Sequence, residues 1–61
     1  MNRKARLKII EVYGNQATFA QILGRDESVV SRVIRGRRVL PPEEKRLWAR
    51  LLRADPKDLF E

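Results

Sequence analysis

Ser28, Ser31, Arg32 and Arg35 recur at a spacing that, at about 100° per residue, gathers them on one arc of an α-helix. Val30, Val33 and Ile34 fall on the opposite arc. A helix is expected here with one side for a core and one side rich in hydrogen-bonding groups. The chemistry such a side can do is non-covalent reading of a polar edge. Arg32 lies near the middle of the polar arc, where its guanidinium fork matches the O6 and N7 acceptors of guanine, a pairing worth ~1–3 kcal/mol of discrimination. Ser28 and Ser31 can donate or accept and so specify less. Glu27 either accepts from cytosine N4 or complements the helix dipole. Val29, on the border of the two arcs, either packs on the scaffold or meets a thymine methyl.

Around this arc Arg25, Arg35, Arg37 and Arg38 form a basic rim, with no acidic residue between Val29 and Leu40. Either the rim is a solvated face or it holds phosphate, where a cation positions a ligand without specifying it. The concentration of charge beside one helix favours phosphate. Arg46, Arg50 and Arg53 have acidic residues nearby in sequence and are read as solvated surface.

Composition narrows the alternatives. The chain has 61 residues, 43% of them hydrophobic, enough for one domain with a barely self-sufficient core. It holds no cysteine and no histidine, which removes disulfides, thiolate zinc sites and any Cys/His nucleophile–base pair. Five of its eight carboxylates (Asp26, Glu43, Glu44, Asp55, Asp58) cap or flank expected helix starts, so no acid–base pair stands out. An enzyme is not expected, nor a metal, a cofactor or a small-molecule effector. The net charge of +6 on so small a surface calls for an anionic partner, and the pI is near 10.8. No apolar run approaches the ~20 residues that cross a bilayer, and MNRKARLKII lacks the apolar stretch of a signal peptide. A soluble, intracellular protein is the expectation.

The helices that must hold the reading arc are marked by local signals. Residues 3–13 read as a first helix with Leu7, Ile10 and Tyr13 inward, and with Ile9 and Val12 widening the apolar side into a spare arc. Gly14 suits the stop and Asn15 the next N-cap. A second helix, 16–23, directs Phe19, Ala20 and Leu23 inward, and Gly24 ends it. Asp26 then caps a third, from about Glu27 to Arg35, closed by Gly36. Pro42 opens a fourth, about 42–53, with Leu47, Trp48, Leu51 and Leu52 as its apolar face. Asp55, Pro56 and Asp58 start a last short turn whose Leu59 and Phe60 plug the core. The fold class is all-α, a compact bundle of four to five short helices.

Two blocks carry a resemblance. The first runs from Gln16 through Ala20, Gly24, Val30 and Val33 to Gly36; the second is WARLLRADPKDLF, Trp48 to Phe60. Together they resemble the lambda-repressor-like, Cro-type (Xre-like) helix-turn-helix family of phage and bacterial regulators, over nearly the whole chain. The resemblance implies a sequence-specific double-stranded DNA-binding transcriptional regulator, with the recognition helix 27–35 in the major groove and the second helix across the backbone. By position it implies that Asn15, Gln16 and nearby amides hold phosphate, and that Glu27, Ser28 and Arg32 face bases. It further implies a homodimer, at least on a two-fold operator, in the cytoplasm and nucleoid of a bacterium or phage-infected host. Candidate dimer residues are Ile9, Val12, Leu59 and Phe60. Arg25 departs from the family's small apolar turn residue: either its stem covers the core or the turn packs differently. Ile34 stands where the family commonly has an acid, so it is either buried or an exposed contact. The alternative is a protein-binding module, antitoxin-like or adaptor, motivated by the broad apolar side of the first helix. Lying on an anionic membrane would require apolar residues that the core needs.

Overall fold

Short polar side chains set most of the helix starts. In the computed structural model, which describes residues 1–60, five helices follow one another: α1 Arg3–Tyr13, α2 Gln16–Leu23, α3 Glu27–Ile34, α4 Pro42–Leu52 and α5 Pro56–Phe60. There is no strand among the described residues. Asn15 Oδ1 accepts from the Thr18 N–H at 2.8 Å, Asp26 from Ser28 at 3.1 Å, and Asp55 from Lys57 at 3.0 Å, each satisfying an amide that has no partner inside its helix. The start of α4 has no side-chain cap; Pro42 opens it, and Glu43 and Glu44 lie in its first turn.

The ends of α2, α3 and α4 share one device. The chain turns into a left-handed residue whose neighbour's N–H bonds back five residues: Arg25 to the Ala20 carbonyl, Arg37 to Arg32, Ala54 to Ala49. Gly24 and Gly36 take the left-handed position in the first two, both at φ 78°; in α4 it is taken by Arg53, at φ 56°. Thus α3 stops at Ile34 with Arg35 as its cap, and α4 stops at Leu52, one residue short of the expected ends.

α1 is the hub, touching each of the other four helices. Its inward face differs from the expected one. Ala5 and Ile9 are completely buried, while Leu7 is 64% and Ile10 45% exposed. The true core direction is turned by about 120° from the arc through Leu7, Ile10 and Tyr13. Ala5 is the reason: at a completely buried position a small side chain lets backbones approach, and a count of large apolar residues gives it no weight. Ile9 and Leu59 are therefore core residues and not dimer contacts, and Val12 is half-buried. Of the broad apolar side that motivated a protein-binding module, Ile9 is filled from within, whereas Leu7 and Ile10 are left exposed.

The core gathers around Trp48, 1% exposed, whose ring meets Phe19 edge-on at 4.9 Å and Phe60 at 6.0 Å. Tyr13 continues the row at 5.4 Å from Phe19, and its hydroxyl donates to the Leu51 carbonyl at 2.6 Å. Such aromatic pairs add about 0.5–1.5 kcal/mol each beyond their buried area. Ile34 is buried at 2% exposure, which removes its reading as an exposed contact. Leu47, expected in the core, is 39% exposed; the inward arc of α4 is Trp48, Ala49 and Leu52. The Cα radius of gyration is 10.0 Å, against about 10.5 Å for a collapsed chain of this length, so the helices close on one core rather than splaying.

Candidate nucleic-acid interface

α3 divides as its sequence pattern requires. Val30, Val33 and Ile34 are buried, whereas Glu27, Ser28 and Arg32 are exposed and Ser31 is half-buried. Burying three branched side chains fixes the rotation of the helix, and this turns Arg32 outward. At its start Asp26 serves twice: the carboxylate accepts from Ser28, and the carbonyl accepts from Val29 at 3.0 Å. At its end Gly36 donates to the Val33 carbonyl at 3.1 Å and Arg37 to the Arg32 carbonyl at 2.9 Å. These bonds fold the chain back on the last turn of α3, which brings the backbone of Arg37 beside that of Arg32. The cations there also face the negative end of the helix dipole.

Arg32, Arg35, Arg37 and Arg38 are exposed, and among the described residues none of them is paired with a carboxylate. Arg25 is different. Its Nη2 donates to Glu44 Oε1 at 3.0 Å, tying the connection between α2 and α3 to the first turn of α4. The pair is partly exposed, so it contributes less than about 1 kcal/mol. Its effect is geometric, because it holds the guanidinium of Arg25 toward α4. Half of the Arg25 side chain is covered and half is open to solvent. Asn15 is exposed with its side-chain oxygen engaged in the cap, and Gln16 is half-buried as the first residue of α2.

Two features were missing from the expectations, although Asn2, directly before the first helical residue, carries an ordinary N-cap signal. Asn2 makes four bonds at once: its N–H donates to Ile34 O at 2.6 Å, its carboxamide N–H to Leu59 O at 2.7 Å, its Oδ1 accepts from Ala5 at 3.0 Å, and its carbonyl accepts from Arg6 at 3.2 Å. It thereby locks the end of α3 to the start of α1 and to α5. Beside it lies an open hollow of about 500 Å³ bordered by Met1, Arg3, Lys4, Val33, Gly36, Leu59 and Phe60. The other is Glu44 as partner of Arg25, nineteen residues apart in the chain, a separation that no local spacing rule covers.

The assembled surface offers hydroxyls and a guanidinium in the middle, cationic forks at one end, and the amides of the α2 start nearby in sequence. That set can grip an anionic polymer and inspect polar edges between its charges. No helix of the described residues is long and apolar enough to cross a membrane. The chain matches no protein-family model, no curated protein and no solved structure.

Proposed function

We propose that this chain is a sequence-specific double-stranded DNA-binding transcriptional regulator of the helix-turn-helix type, with α3 entering the major groove and α2 lying across the backbone. The observation that carries the reading is the outward arc of α3, where Ser28, Ser31 and Arg32 stand opposite a buried arc and are flanked by arginines without carboxylate partners. Arg32 takes a guanine edge, Ser28 and Ser31 adjust to their neighbours, and Glu27 meets cytosine N4 or the helix dipole. Arg35, Arg37 and Arg38, with Asn15 and Gln16, hold phosphates. Arg25 reaches phosphate only by leaving Glu44, so it contributes least. Two copies bind a two-fold site, since one such small unit covers little DNA alone.

Titration of a labelled duplex against salt tests this. Three phosphate-binding arginines at about 0.9 each give a slope near −2.7 in log K against log salt, or about a 40-fold loss from 50 to 200 mM. Arg32→Ala should relax preference at one or two base positions, while Arg37→Ala should weaken all sequences alike and flatten the slope by about 1. An affinity indifferent to salt, or two variants that behave identically, would overturn the assignment.

A further inference from the structure

We infer that the outward arc of α4 is the surface on which two copies of this chain pair. The inference names the contact for the homodimer proposed above and rests on that reading for its purpose, while its geometry stands on α4 alone. Trp48, Ala49 and Leu52 bury the inner arc of α4. Glu43, Arg46, Leu47 and Arg50 remain outside and border one shallow hollow of about 260 Å³. Leu47 is 39% exposed there, an apolar residue set among charges of both signs.

The order of these residues is self-complementary. Glu43 and Arg50 are seven residues apart, which is two turns, so both lie near one line along the helix, separated by about 10 Å. Their midpoint falls between Arg46 and Leu47. An antiparallel second α4, related by a two-fold axis through that midpoint, sets Glu43 against Arg50 of the second copy, and Arg50 against its Glu43. The same operation brings the two Leu47 side chains together on one flank, about one residue out of level. A two-fold contact needs one patch to supply both halves of each interaction; Glu43 with Arg50, and Leu47 with its own copy, do so, while Arg46 meets Arg46 on the other flank and weakens the pair. Glu44, at the side of this arc, is held by Arg25 and does not compete. The outward arc of α3 offers no such exchange of opposite charges, because its charged residues, Arg32 and Arg35, are of one sign.

The pairing is weak in the free protein. A stable interface takes about 800 Å² from each partner, close to a fifth of the 4322 Å² surface of this chain. An eleven-residue helix, about 16 Å long, offers less. Two chains of charge +6 also repel at long range. Held on adjacent half-sites, two copies are raised to a high effective concentration and their charges are met by phosphate, so the contact then becomes populated.

Sedimentation equilibrium of the full chain at millimolar concentration in physiological salt tests the inference, using Glu43→Arg, Arg50→Glu, the double exchange, and an equimolar mixture of the two single variants. All substitutions are at exposed positions, and helical circular dichroism checks that the fold is kept. Wild type should self-associate. Each single variant opposes like charges twice and should lose at least about ten-fold in association. The double exchange should regain it. The mixture should form a heterodimer from two variants that are each monomeric, a result that a merely structural role for either residue would not produce. A monomeric wild type, single variants that associate like wild type, or a mixture that stays monomeric would each overturn the inference. Binding of wild type to random-sequence duplex at low salt, measured alongside, separates the two failures. Charge exchange that works without DNA binding leaves the α4 contact standing and removes the DNA reading; the converse removes only the α4 contact.

Discussion

α3 and α4 both turn arginines away from one shared core, yet their arginines keep different company. On α3, Arg32 and Arg35 stand with Ser28 and Ser31, and no acidic residue occurs between Val29 and Leu40. On α4, Arg46 and Arg50 border the same hollow as Glu43 and Leu47. A count of these outward arginines, two on each arc, would rank the two surfaces alike. Their neighbours separate them: an arc of one sign attracts a polyanion and repels its own copy, whereas an arc of mixed sign with an apolar centre can complement itself. The starts of the helices differ in the same sense, since α3 has a side-chain cap and α4 has none.

The largest expected effect falls on both regions together. Trp48→Ala removes the ring that Phe19 and Phe60 pack against, at a cost of about 3–5 kcal/mol. A chain of this length has about 3–9 kcal/mol in all. Thermal unfolding followed by circular dichroism should lose its cooperative transition, and both faces should fail; survival of either would show that it does not depend on this core. Next, reversing Arg37 and Arg38 to Glu should lower affinity for any duplex by an order of magnitude or more, while Arg46→Ala with Arg50→Ala changes affinity for a single half-site by less than about two-fold. Equal losses in anisotropy titrations would collapse the distinction between the helices.

Smaller effects probe the helix ends. Asp26→Ala should cost about 1 kcal/mol and lower Tm by about 4–8 °C, because the Ser28 amide loses its acceptor. The left-handed stops offer the finest contrast. An added Cβ at Gly36 meets nothing within 4 Å, so Gly36→Ala is opposed only by its positive φ, at about 1 kcal/mol. Arg53 already stands at φ 56°, and Arg53→Gly should stabilise by up to about 1 kcal/mol. Changes in Tm of the same sign for the two substitutions would contradict this account of the stops.

Much of the fold was legible because helix punctuation is local. Asn15, Asp26 and Asp55 cap within three residues, and Gly24 and Gly36 stop within two, so element bounds followed to within a residue. The division of α3 was legible because large branched residues alternate with polar ones around it. α1 misled for the opposite reason: it carries large apolar residues on several sides, and the side that packs is chosen by a small one, Ala5. Leu47 misled in the same way, sitting next to the arc that Trp48 and Leu52 define. Asn2 was legible as the cap of α1, since it directly precedes the first helical residue, but its bonds to Ile34 and Leu59, like the Arg25–Glu44 pair, join elements far apart in sequence. The orientation of Arg25 followed from where α4 lies, which no window around residue 25 contains.

The claim that α3 reads DNA meets its most direct test in selection of bound sequences from a random duplex pool, run in parallel with wild type and Arg32→Ala. Wild type should enrich a two-fold symmetric site with a fixed guanine in each half, and the variant should enrich the same site with that guanine relaxed. Failure of wild type to enrich any site, or an identical site from both proteins, would contradict it.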